Sequence, residues 1–231
     1  MSLLKEMRKL GLTPDAISFS VSISACGKGD QWEQPLLLLN KMRKESVKLD
    51  RICFGIMVSS CDTSGQWERA LSLFNEVHNE GVTLDVMNYN TVISVCEKLL
   101  QWERALSLLT KMQMKGITLS VISLSAAMSA CETCGQWERA LSIFINMRSA
   151  QLTPTVVSFS TAISACEKCG QWEQALLFLN EMRKVGVPNV ISFSASISAC
   201  EKGGQWQRVQ PLLDEMRSRA LSPTVISFSA S

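Results

Sequence analysis

Two cysteine pairs, Cys131 with Cys134 and Cys166 with Cys169, have the Cys-x-x-Cys spacing that sets both thiols on one helix face and invites a structural zinc. The rest of the cysteine pattern argues against it. Cys26, Cys61, Cys96, Cys131, Cys166 and Cys200 recur at one place in successive copies of a repeat, so two of the four candidate ligands belong to a six-rung ladder of packing residues. Of the four candidate ligands only Cys134 and Cys169 are extra, and a metal site is not expected. Nine cysteines is an odd number, and their helical spacing is that of reduced thiols in an intracellular or organellar compartment rather than of a disulfide framework. A second set of chemical groups is Lys28, Lys98, Lys168 and Lys202, which share one place near the end of a helix, with Thr63 and Thr133 in the remaining copies. A lysine at each such step can follow a phosphate backbone, or complement the negative end of the helix on which it sits. Six tryptophans could stack on bases, but they fall on an Ala/Leu stripe that points to a core. His78 is the only histidine. No catalytic triad, paired carboxylates or glycine-rich phosphate loop stands out, so neither an enzyme nor a cofactor is expected.

These groups are positioned by a repeat. The tryptophans, Trp32, Trp67, Trp102, Trp137, Trp172 and Trp206, are spaced by 35, 35, 35, 35 and 34 residues. Such a period signals stacked supersecondary units. The repeats are placed at 16–50, 51–85, 86–120, 121–155, 156–189 (one residue short) and 190–224, after the end of an earlier copy in 1–15 and before the start of a later one in 225–231. The opening and closing residues thus read as parts of a longer array. Within a copy, the run ISFSVSISAC (17–26) alternates like a strand, but its siblings do not. What all six share is an apolar residue at i, i+4 and i+7, as in Phe19, Ile23 and Cys26 or Phe159, Ile163 and Cys166, which is one face of a helix. The second half of each copy, as in QWERALSLFNEV, puts Trp67, Ala70, Leu71, Phe74 and Val77 on a helical stripe. Glycines such as Gly65 and Gly81 end the two helices, and prolines such as Pro14 and Pro154 forbid continuation. Pro35, early in a second helix, and Pro211, in the middle of one, break this order, and the sixth repeat is expected to be the loosest. The fold expected is all-α: a right-handed α-solenoid of stacked helix–turn–helix repeats.

Composition agrees with a folded chain. Of 231 residues, 46% are hydrophobic and 19% charged, and the net charge of +2 does not announce a strongly basic nucleic-acid binder. No run of eighteen apolar residues and no targeting peptide is visible.

VVSFSTAISACEKCG for the first helix, ALLFLNEMRKVGV for the second and the TPD or TPT exit turn make the chain resemble the pentatricopeptide repeat family, in its 35-residue form, over essentially the whole length. The departure is the tryptophan opening each second helix, where the family more often has an aliphatic residue. The resemblance implies a single-stranded RNA partner, one base per repeat, read by the fifth and last residues of each copy. The readers are then Ser20 with Asp50, Gly55 with Asp85, Asn90 with Ser120, Ser125 with Thr155, Ser160 with Asn189, and Ser194 with Thr224. Ile17, Ile52, Met87, Ile122, Val157 and Ile191 would stack on the bases, and the lysine ladder would meet phosphate. The family's readout then gives the target G–(G or U)–C–A–A–A, 5′ to 3′. It also implies work in organellar RNA processing, stability or translation, in a mitochondrion or chloroplast. The deaminase signature HxE with a following PCxxC, found in some members, is not in this sequence. The competing reading is a helical scaffold for protein partners, which near-zero net charge and nearly identical copies favour; a degenerate fragment is a further alternative.

Overall fold

The computed structural model describes residues 2–27, 33–185 and 188–222. Lys28, Trp32, Gly186, Pro223, Thr224 and the segment 225–231 lie outside the described residues. Among the described residues the structure is helical, with no strand: α1 (Ser2–Lys9), α2 (Ala16–Gly27), α3 (Glu33–Lys44), α4 (Arg51–Thr63), α5 (Trp67–Asn79), α6 (Val86–Lys98), α7 (Trp102–Met114), α8 (Val121–Thr133), α9 (Trp137–Ser149), α10 (Val156–Lys168), α11 (Trp172–Val185), α12 (Val190–Lys202) and α13 (Val209–Ser218), the last preceded by a 3-10 turn at Trp206–Arg208. The strand-like run 17–26 is helix α2.

The chain forms two compact units, residues 1–99 with 110–118, and 100–109 with 119–231. In the first, α2 packs on α3 and on α4, and α4 packs on α5 and on α6. In the second, α8 packs on α9 and α10, α10 on α11 and α12, and α12 on α13. Within the units, α2, α4, α8 and α10 therefore each touch their own partner and the first helix of the next copy. That is how stripes too wide for one hairpin become buried. Phe54, Val58 and Cys61 are buried in the first unit, and Phe159, Ile163 and Cys166 in the second. Cys26 is the exception on this ladder, only half-buried. Burial in apolar surroundings pushes the Cys131 thiol up to about 11 and Cys166 up to about 12. Serine is accommodated in these helices by bonding backward. The hydroxyls of Ser20, Ser22 and Ser196 donate to the carbonyls of Ala16, Ser18 and Ser192, each at 2.8 Å.

The second helices are tied by ion pairs between neighbouring copies. Arg43 holds Glu76 and Glu80 at 2.8 Å, Arg148 holds Glu181 at 2.7 Å, and Arg183 grips Glu215 with two nitrogens. In the third copy the place of the glutamate is taken by Lys111, facing His78 rather than an arginine. Burial first, then the charges of Lys115 and Lys111, hold the His78 imidazolium below its ordinary range. His78 is not simply exposed; its ring stacks on Phe74 with centroids 6.0 Å apart.

Pro35 stands early in its helix, as the sequence reads, and the expectation for Pro211 changes. Pro35 is the third residue of α3 and Pro211 the third of α13, so neither sits in a helix interior. A proline in the first turn sacrifices no intrahelical bond. In the sixth copy the backbone reaches this arrangement by winding Trp206–Arg208 as a 3-10 turn and starting the α-helix afresh at Val209.

Candidate nucleic-acid interface

The last residue of each of the first five copies is the N-cap of the next first helix. Asp50, Asp85, Ser120, Thr155 and Asn189 each accept a hydrogen bond from the backbone N–H three residues on. In four of them the third residue of the following helix, Asn88, Ser123, Ser158 or Ser192, returns the bond and closes a capping box. These side chains are therefore fixed in direction by helix initiation itself.

The fifth residues come to the same spot from the preceding helix. Ser20 Oγ lies 3.5 Å from Asp50 Oδ2 and 2.8 Å from Cys53 Sγ. Ser160 Oγ donates to Asn189 Oδ1 at 3.4 Å. Ser125 and Thr155 are joined through Ser158, whose hydroxyl is 2.9 Å from Ser125 Oγ and 3.1 Å from Thr155 Oγ1. The constellation has three members: the fifth and last residues of one copy and the third residue of the next. The third member was not assigned a place beside the readers from sequence. Its signal is the S/T/D/N-x-x-S/N spacing across four exit turns, with Cys53 in this place after the first. Asn90 and Ser194 are nearly buried at the fifth position of α6 and α12.

The second residues form the outer part of this surface. Ile17, Ile52, Met87, Ile122, Val157 and Ile191 are between 58% and 70% exposed, although each is followed two residues later by a fully or nearly buried core residue. An apolar side chain left in water at one fixed place in every copy has no packing role. In the second unit the parts meet. A cavity of about 200 Å³ is lined by Val157, Ser160, Asn189 and Ile191, together with Glu132, Thr161 and Ser164. It has two apolar walls and a hydroxyl–amide pair, and it is too small for a drug-sized ligand.

The lysine ladder is neutralised in place. Lys98 Nζ bridges Asp62 at 2.6 Å, Lys168 bridges Glu132 at 2.9 Å and Lys202 bridges Glu167 at 2.5 Å, each reaching back to the copy before it. Lys168 and Lys202 also donate to the carbonyls of Glu132 and Glu167, which are late in the preceding first helices. No group of three or more metal-ligating side chains occurs among the described residues. Cys134 and Cys169 turn their thiols toward the backbone carbonyls of Leu100 and Gly135.

The five described tryptophans are not core. Trp67, Trp102, Trp137 and Trp172 are half-buried, and Trp206 is 72% exposed. They lie where copies meet: the guanidinium of Arg139 covers the Trp102 ring at 5.0 Å and that of Arg208 covers Trp172 at 5.1 Å. At these two junctions the indole serves as a platform for the next copy's arginine.

Comparison with known sequences decides the family. The profile of the pentacotripeptide-repeat region of PRORP matches residues 40–229, and that of the PPR repeat matches 17–47. The chain belongs to the pentatricopeptide repeat family. Among curated proteins no sequence matches significantly. The fold is similar to that of the maize pentatricopeptide repeat protein PPR10, at 23% identity and a TM-score of 0.63 over 99% of this chain and 33% of that one. It is also similar to nuclear proteinaceous RNase P 2 of Arabidopsis thaliana, at 15% identity and a TM-score of 0.73 over 83% and 43% of the two chains. The PPR domain of Arabidopsis thaliana protein-only RNase P 1, solved in complex with tRNA, aligns at 14% identity with a TM-score of 0.67 over 74% and 90%. The chain spans a third of the length of PPR10 and under half that of RNase P 2. No helix among the described residues is long and apolar enough to cross a membrane.

Proposed function

We propose that this chain binds single-stranded RNA along its first helices, one base per repeat, and carries out no chemistry on it. The observation that carries the reading is the cavity between Val157 and Ile191, where the Ser160 hydroxyl and Asn189 amide sit 3.4 Å apart. A base slid between two aliphatic walls presents its edge to that polar pair. Short side chains held by capping bonds lose little rotamer freedom on contact. The reading pairs of the first, third, fourth and sixth copies are those of the family resemblance, and the RNA ligand of the PPR domain of RNase P 1 supports the same partner class. In this reading Lys28, Lys98, Lys168 and Lys202 contact phosphate. The carboxylates already bound to Lys98, Lys168 and Lys202 temper their charge, so binding depends on salt less steeply than four bare lysines would give. The setting proposed is organellar RNA processing, stability or translation.

The test is a selection from randomised single-stranded RNA at fixed salt. The reading expects an enriched motif with adenines opposite the fourth to sixth repeats. A pool that emerges unenriched would contradict it and favour a peptide-binding scaffold.

A further inference from the structure

The second repeat departs from its siblings at Gly55 and Arg51, the third repeat departs beside them at Asn88, and the three departures have one consequence. Its fifth residue is Gly55, which offers no side chain to a base. The space a side chain would fill is taken: a Cβ on Gly55 would lie 2.9 Å from the Asn88 amide nitrogen. That amide is itself committed. Its nitrogen donates to the Arg51 carbonyl at 3.2 Å, and its oxygen accepts from the Asp85 N–H at 3.2 Å. The last residue, Asp85, gives one carboxylate oxygen to the Asn88 N–H at 3.0 Å. Its other oxygen faces a guanidinium, Arg51 Nη1, at 3.8 Å.

Arg51 is the third departure. It opens the helix where the other copies have Ala16, Val86, Val121, Val156 and Val190. It adjoins Ile52 of the exposed apolar row. Its ion pair is long and its side chain is 61% exposed, whereas the ladder lysines sit within 2.9 Å of their carboxylates. It also lines an open cavity of about 710 Å³, shared with Lys48, between the exit loops of the first and second copies. A loosely held guanidinium beside an open cavity fits a phosphate oxygen pair better than any group here fits a base edge.

Resting on the RNA-binding reading above, we propose that the second repeat is a sequence-tolerant step. It accepts any base and replaces readout with an Arg51–phosphate contact. Asp85 serves as the helix cap and the resting partner of Arg51, not as a reader.

The experiment measures full-chain binding to four RNAs that differ only at the second base, across 50 to 200 mM salt. Three proteins are compared: wild type, Arg51→Val, and the double variant Gly55→Ser with Asn88→Ser, which restores sibling residues. Wild type is expected to bind all four RNAs within about twofold. Arg51→Val should weaken all four equally and lower the log–log salt slope by about 0.7, the share of one phosphate on a single strand, so that its deficit shrinks about 2.6-fold over this salt range. The double variant should acquire a preference at that base alone. A tenfold preference in wild type overturns the proposal, as does an Arg51→Val loss confined to one RNA, which would make Arg51 a base reader. An unchanged salt slope in Arg51→Val overturns it too. Indifference at every position, not just the second, would instead sink the one-base-per-repeat reading itself.

Discussion

Tyr89 occupies the place where the other copies have Phe19, Phe54, Leu124, Phe159 and Phe193. Its side chain is fully buried, edge-on to Phe74 at 5.7 Å, and its hydroxyl has no hydrogen-bond partner among the described residues. A buried hydroxyl that has lost water and found nothing costs about 1–3 kcal/mol. Tyr89→Phe removes that cost and forfeits only the dispersion contacts of one oxygen, a few times about 0.1–0.2 kcal/mol. The balance is a gain of about 1 kcal/mol, with the ring left in place. For a chain of this size that is a rise in Tm of roughly 2–4 °C, or a matching shift in urea midpoint at constant slope. Paired thermal and urea unfolding curves decide it. A fall in stability would refute the reasoning, because it would mean that the hydroxyl is satisfied.

The remaining expectations concern the junctions. Gly203→Ala should destabilise by about 1–3 kcal/mol in urea unfolding, since a Cβ would lie 2.2 Å from the Trp172 ring, which Arg208 covers from above. Leu100 takes the helix-exit place of Gly65 and Gly135 and holds φ at +55°, so Leu100→Gly should stabilise by up to about 1 kcal/mol in the same assay. The His78 pKa is depressed in the folded chain, so its contribution is complete above the unfolded value near 6.5 and is lost as pH falls from there through the lower folded value. Stability measured from pH 7.5 to 5 should therefore drop, and Lys111→Glu should flatten the drop.

Much of this architecture was legible because the chain carries six drafts of one hairpin. ISFSVSISAC alone alternates like a strand; beside NTVISVC and SAAMSAC only the i, i+4, i+7 face survives, and it is the face that is buried. The exposed row at Ile17, Ile52 and Met87 followed from the family resemblance, and its exposure is a structural fact that apolar composition alone would have hidden. What sequence missed is contact between copies. Lys98 reaches Asp62 and Ser20 reaches Cys53 across more than thirty residues, and no helical periodicity encodes which neighbour a side chain meets. Tryptophan looked like core because it shares a stripe with Ala70 and Leu71. The described tryptophans are instead half-buried or exposed, and Trp102 and Trp172 lie under the next copy's arginine. Pro211 looked like a helix breaker because the sequence does not say that the α-helix restarts at Val209.

The central claim, that one polar pair reads one base, is tested most directly at the fifth repeat. Asn189→Asp keeps the helix cap, since both residues cap equally well, and changes only the group that faces the base beside Ser160. By the family's readout, affinity measured on RNAs differing at the fifth base should move from adenine to guanine. A change of about 1.4 kcal/mol, or tenfold, is the scale expected of one such contact, with preferences at the other bases untouched. A variant that binds all the RNAs equally more weakly, or keeps its adenine preference, would contradict the account.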